Sequence, residues 1–198
     1  MLIALTGGAR SGKSTAALSA ATSMEAPVTF IATAEAGDAE MAARIERHRT
    51  DRPSDWTTIE APIRLAAAVR SVDAGVTIVI DCLSMWVSNR MLAQGSGAPL
   101  GQRQGQAAAS GGEQHSAEFV RSMVKEVGDL GVRLRERSGM AIVVTNEVGS
   151  GIVPANPLGR AYRDVLGSVN QAIFASANHA YLVVAGRLLE LQDPSDGL

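Results

Sequence analysis

Gly7-Gly8-Ala9-Arg10-Ser11-Gly12-Lys13-Ser14 follows an apolar run, Leu2–Thr6, and leads into an Ala-rich segment over residues 13–23. The run reads as a buried strand, the segment as a helix, and the octapeptide as the loop joining them. Gly7, Gly12, Lys13 and Ser14 satisfy the pattern G-x-x-x-x-G-K-[ST], with strand, loop and helix in register. Glycines let backbone N–H groups turn inward and approach phosphate oxygens closely. The helix N-terminus adds the positive end of its dipole. Lys13 would place a point charge on the β and γ phosphates of ATP or GTP, and the Ser14 hydroxyl would ligate Mg²⁺. The chain has only two lysines, Lys13 and Lys125, and one of them falls where the pattern requires it.

The rest of the chain repeats that alternation of strand and helix. Residues 28–32, 76–81 and 140–145 are continuous Val- and Ile-rich runs, the pattern of strands buried on both faces of a parallel sheet. Helices are expected over residues 38–49, 63–73, 116–137 and 158–177, the last with a stripe of Leu158, Tyr162, Leu166, Val169 and Ile173. The fold class is therefore α/β, a mostly parallel sheet flanked by helices. Runs at 180–185 and 188–191, joined by Gly186-Arg187, predict an antiparallel edge hairpin near the C-terminus. Residues 1–198 read as a single nucleotide-binding domain. Residues 94–114, rich in Gly, Gln, Ala and Ser, read as a flexible surface insertion. The strand ending in Asp81 offers a carboxylate to complete a Mg²⁺ shell with Ser14.

Composition excludes several classes. A formal net charge of -2 argues against a nucleic-acid partner, and no apolar run is long enough for membrane insertion. Cys82 is the only cysteine, so no internal disulfide forms, and a cytoplasmic setting is expected. No zinc-ligand spacing joins His48, His115, His179 and Cys82.

In the segment 38–49, Asp38 is the expected N-cap, and Met41, Ile45 and His48 share one face. Taken alone, His48 is a satisfied core histidine or a cation at a helix C-terminus. An imidazole among Arg44, Arg47, Arg49 and Arg52 and near a triphosphate could instead act as a nucleophile.

The phosphate loop, Ile31-Ala32-Thr33, the segment Glu40-Met41-Ala42-Ala43-Arg44-Ile45 with His48 and Arg52-Pro53 behind it, and Thr145-Asn146-Glu147-Val148-Gly149-Ser150-Gly151-Ile152-Val153-Pro154 with Arg163-Asp164 and Val169-Asn170-Gln171 together resemble one family closely. It is the bifunctional adenosylcobinamide kinase / adenosylcobinamide-phosphate guanylyltransferase family of cobalamin biosynthesis. The resemblance implies a RecA-like P-loop NTPase core and a homotrimer. It implies phosphorylation of adenosylcobinamide with ATP or GTP, then transfer of GMP from GTP to adenosylcobinamide phosphate, yielding adenosylcobinamide-GDP and pyrophosphate. His48 matches the histidine that carries GMP, and Lys13 matches the phosphate-loop lysine. Gly7, Gly8, Ala9, Arg10, Ser11, Gly12, Lys13 and Ser14 are expected to bind nucleotide, together with Ala32, Thr33, Ala34, Arg49, Thr50, Asp51, Arg52, Glu60 and Asp81. The family often carries Glu where this chain has Asp81, so the charge is kept but its reach is shorter. The loop over residues 147–157 is expected to hold the corrinoid or to shape the trimer interface, or else to be a rigid connector.

Rival readings differ in their signatures. A P-loop kinase of another small molecule would have no use for His48. A guanine-nucleotide switch would carry an Asn-Lys-x-Asp signature, and neither lysine is preceded by Asn. A RecA-type nucleic-acid-dependent ATPase would show a basic stripe, which this sequence lacks.

Overall fold

The structure is a computed structural model that describes residues 1–96 and 116–196. Seven strands form one sheet: β1 (Leu2–Thr6), β2 (Val28–Ala32), β3 (Thr57–Glu60), β4 (Thr77–Asp81), β5 (Ala141–Val144), β6 (His179–Val184) and β7 (Arg187–Glu190). Their order across the sheet is β3-β2-β4-β5-β1-β6-β7. Every pairing is parallel except that of β6 with β7. The helices are α1 (Lys13–Thr22), α2 (Ala39–Thr50), α3 (Leu65–Arg70), α4 (Leu83–Ser96), α5 (Ala117–Glu136) and α6 (Pro157–Phe174).

Strand side chains alternate between two cores, as the pleat requires. Ile78 and Ile80 of β4, with Ala141 and Val143 of β5, face a core built from α3, α4, α5 and α6. Val79, Ile142 and Val144 face the other way, onto Ala17 and Ala21 of α1. The small residues of α1 let it lie close to the sheet, which brings its N-terminus to the carboxyl end of β1.

Several expectations need correction. β3 was not expected, nor was α4. The proposed insertion begins too early, because α4 runs to Ser96; the remainder of residues 94–114 lies outside the described residues. The hairpin turn is Ala185-Gly186, since Val184 already pairs with Arg187. In α6, Val165, Leu166, Val169 and Ile173 are buried, but Leu158 is 44% exposed. It stands in the first turn, beyond the core, next to the Asn156 N-cap whose side chain accepts from the Gly159 N–H.

Candidate active site

The carboxyl ends of five strands share one rung of the sheet. The register aligns Glu60 with Ala32, Ala32 with Asp81, Asp81 with Val144, and Val144 with Leu5. Ligands of open α/β sheets bind beyond such an edge. The sequence-predicted residues leave the sheet there, from β1 into the phosphate loop, from β2 into α2, and from β3 and β4 at Glu60 and Asp81.

The phosphate loop is held from inside and outside. Lys13 is 7% exposed, and its Nζ donates to the Gly7 carbonyl at 2.9 Å, the Gly8 carbonyl at 2.7 Å and the Ser11 hydroxyl at 3.4 Å. The lysine thus folds back onto its own loop. Burial pushes the Lys13 ammonium below its ordinary pKa; Cys82 and Asp81 oppose that push and Arg44 adds to it. Burial pushes the Cys82 thiol up, which keeps it uncharged near neutral pH. The Glu147 N–H donates to the Gly7 carbonyl at 3.0 Å, tying the β5 exit to the loop. At Gly7 a Cβ would stand 2.3 Å from the Val183 carbonyl oxygen, so no side chain fits there.

Ser14 lies in the first turn of α1, and Asp81 ends β4 without an ion-pair partner among the described residues. A hydroxyl and a carboxylate are hard oxygen donors of the kind Mg²⁺ takes. No cluster of three or more His, Cys, Asp or Glu side chains occurs among the described residues. The donor set therefore suits a Mg²⁺ that takes most of its ligands from water and triphosphate.

Helix α2 arches from the end of β2 to the start of β3. Asp38 is its N-cap, accepting from the Met41 N–H at 2.7 Å. None of its residues is buried; Met41, Ile45 and His48 form the half-covered face, as their spacing predicts. Its C-terminal end is fastened by Arg52, which lies just beyond it. The Arg52 Nε donates to the His48 carbonyl at 2.9 Å, and its Nη1 donates to the Thr58 hydroxyl at 3.1 Å. The guanidinium also stacks 3.9 Å from the centroid of the Phe30 ring, a cation–π contact. Burial pushes the Arg52 pKa down, with Asp81, Glu60 and Glu46 opposing and Arg49 assisting. Arg52 therefore sits in the field of both strand-end carboxylates. At the opposite end of the site Arg44 lies within electrostatic reach of Lys13.

The other predicted contacts separate into exposed and structural groups. Arg49, Thr50 and Asp51 are exposed at the end of α2, Ala34 is half-buried, and Glu60 is exposed on β3. Thr33 is fully buried, and its hydroxyl both donates to the Cys82 carbonyl at 2.6 Å and accepts from the Cys82 N–H at 2.9 Å. Its side chain locks the end of β2 to the end of β4, so Thr33 presents no free hydroxyl to a ligand. Behind the site runs a polar network that sequence reasoning missed. The Ser84 hydroxyl meets the Cys82 thiol at 3.0 Å and accepts from Asn146 at 2.8 Å, while the Tyr162 hydroxyl donates to the Ser84 carbonyl at 3.2 Å. Burial pushes the Tyr162 pKa up to about 12. The loop over residues 147–157 turns outward, with Ile152 97% and Val153 60% exposed.

Comparison with known proteins gives one consistent result. Residues 3–191 match the family described as cobinamide kinase / cobinamide phosphate guanyltransferase. The chain is 36% identical over 187 residues to the bifunctional adenosylcobalamin biosynthesis protein CobP of Pseudomonas aeruginosa, covering 94% of each chain. It is 37% identical over 189 residues to the bifunctional adenosylcobalamin biosynthesis protein CobU of Salmonella typhimurium, covering 94% of this chain and 97% of the relative. Among solved structures, the type III secretion ATPase EscN of enteropathogenic Escherichia coli superposes with a TM-score of 0.53. At 14% identity, and with 93% of this chain but 43% of EscN covered, that likeness speaks for a P-loop ATPase fold alone. Phosphate loop, strand-end carboxylate and the sequence match along almost the whole chain agree, and the chain belongs to the cobinamide kinase / cobinamide phosphate guanyltransferase family.

Proposed function

We propose that this chain phosphorylates the aminopropanol hydroxyl of adenosylcobinamide and then converts the phosphate to adenosylcobinamide-GDP, with His48 as the covalent carrier of GMP. In the first step the hydroxyl oxygen attacks the γ-phosphorus of ATP or GTP, and the nucleoside diphosphate leaves. In the second, a neutral imidazole nitrogen of His48 attacks the α-phosphorus of GTP, and pyrophosphate leaves. The phosphate of adenosylcobinamide phosphate then attacks the guanylyl group, freeing the histidine. Lys13 and the loop N–H groups hold the phosphates, while Ser14 and Asp81 would hold Mg²⁺, which neutralises charge developing on the phosphate oxygens.

One observation carries this reading. The helix bearing His48 and the phosphate loop serve the same sheet edge, with Arg44 in the field of Lys13 and Arg52 joining the His48 carbonyl to the field of Asp81. A kinase without a covalent intermediate could use the arginines of such a helix to neutralise phosphate charge, but would have no use for His48. We place the enzyme in the cytoplasm as a homotrimer. Val184, Leu188 and Leu189 on the hairpin, 57%, 54% and 60% exposed, are surface that a second copy would cover.

The test is incubation with Mg²⁺ and GTP labelled at the α-phosphate, followed by denaturing electrophoresis. We expect an acid-labile, base-stable label on the protein that His48→Ala removes. GTP binding without labelling would leave a kinase of another small molecule.

A further inference from the structure

The turn between β6 and β7 lies against the phosphate loop. Its two residues, Ala185 and Gly186, have φ of 49° and 74°. Two successive positive φ values are the pattern of a type I′ hairpin turn, which glycine enters without steric cost. The Gly186 N–H donates to the Ser11 carbonyl at 2.8 Å. The Gly186 Cα stands 3.1 Å from where a Cβ on Gly12 would be, so the two backbones pass with no room for a side chain between them.

A trans peptide is planar, so the C=O of one residue and the N–H of the next point in opposite directions. The N–H that follows the Ser11 carbonyl is that of Gly12, the N-cap of α1. Holding the Ser11 C=O toward the hairpin therefore turns the Gly12 N–H away from it. A flipped peptide would offer a carbonyl oxygen to an anion in place of a donor. Lys13 and Glu147 act on the Gly7 carbonyl in the same manner, fixing the Gly7–Gly8 peptide plane at the other end of the loop. Gly186 is the partner the structure gives the Ser11 carbonyl.

We infer that Gly186 is a positioning residue for the phosphate cradle: its N–H fixes the Ser11–Gly12 peptide so that the Gly12 N–H meets the phosphate oxygens of a nucleoside triphosphate. The inference rests on reading Gly7 to Ser14 as the phosphate-binding loop. It makes the outermost strand pair, some 180 residues away in sequence, part of the nucleotide site.

The test deletes one hydrogen. Ligating a synthetic C-terminal peptide through Ala177→Cys allows glycolic acid to replace Gly186, turning the amide N–H into an ester oxygen. An all-amide ligated chain is the control. GTP affinity with Mg²⁺ is measured by calorimetry, alongside KM, kcat and melting temperature. The ester is expected to raise the dissociation constant and KM about three- to tenfold, the size of one hydrogen bond, with kcat changed less than about twofold. Gly186→Ala keeps the N–H, and its added Cβ meets nothing within 4 Å. It is expected to lower the melting temperature through its φ while weakening GTP binding clearly less than the ester. An ester that binds GTP as the amide control does, or an alanine variant as weak as the ester, would overturn the inference. Lys13→Ala separates the two levels of the argument. Normal GTP binding by that variant would remove the cradle reading itself, whereas a dead Lys13→Ala beside an unaffected ester removes only the role of Gly186.

Discussion

The phosphate loop and helix α2 serve one site but are built in opposite ways. The loop is clasped by Lys13 from within, by Glu147 at its entry and by Gly186 from the hairpin, and it sits on a helix packed into the core. Helix α2 has no buried residue and is fastened at its C-terminal end by Arg52. The difference matches the two tasks. A phosphate cradle works by donors fixed before the substrate arrives, whereas a helix carrying the proposed GMP-bearing His48 would have to approach an α-phosphate in one reaction and leave room for the acceptor in the other.

The largest effect expected is from Lys13→Ala. It removes the cradle's point charge and leaves the Gly7 and Gly8 carbonyls with only their backbone donors, the Glu147 and Ser11 N–H groups. Both activities should fall by about a thousandfold, the scale of losing a group that meets developing charge. Retention of either activity near wild type would mean that the two reactions use different phosphate sites.

His48→Ala should break the comparison cleanly if the division of labour is real. Guanylyl transfer should vanish, kinase turnover should stay within about threefold, and the melting temperature should hardly move, because α2 contributes nothing to the core. Loss of both activities together would sink the separation of roles.

Arg52→Ala should act between these extremes. It releases the His48 carbonyl, the Thr58 hydroxyl and the Phe30 ring at once. We expect guanylyl transfer to fall about ten- to a hundredfold more than kinase turnover, the penalty for a reacting group displaced by about 1 Å. Stability should drop by about 1–2 kcal/mol. Arg52→Lys should restore little, since a lysine cannot hold two acceptors in one plane above an aromatic ring.

The smallest effect is in alkaline stability. The Lys13 pKa is lowered in the folded chain, so folding releases a proton between that value and the unfolded 10.5. Over that window the unfolded chain binds more protons, and stability rises with pH as the burial penalty is relieved. Subtracting the urea-unfolding profile of Lys13→Ala from that of wild type should leave this upward slope. A flat difference would mean the ammonium is better solvated than its enclosure suggests.

How much of this the sequence reveals depends on how local each signal is. The phosphate loop, its strand and its helix are contiguous, and so were legible. Helix α4 was not, although Leu83, Trp86, Val87 and Met91 form a buried stripe at helical spacing, because only Cys82 separates it from β4 and no Ser, Thr, Asp or Asn stands at residue 82 to mark its start. Buried Ser84 and Asn89 interrupt the stripe, Asn89 donating to the Thr33 and Pro62 carbonyls. Strand β3 escaped for a different reason: it is an edge strand in which Ile59 alone is even half-covered. Asp81 was legible as a carboxylate at a strand end, but Arg52 as a clasp was not, because its partners lie on helix α2 and on two different strands. The contact with Gly186 depends on β6 lying beside β1, which no local pattern announces.

The shared rung from Leu5 to Glu60 makes the sheet a ruler. Between the loop-bearing β1 and Asp81 on β4 lie two inter-strand steps, roughly 10 Å set by backbone hydrogen bonds and beyond the influence of any side chain. Asp81→Glu would therefore lengthen the tether of the carboxylate without moving its anchor. Exchange between the two acids at this position is a change of arm length measured from a fixed mark.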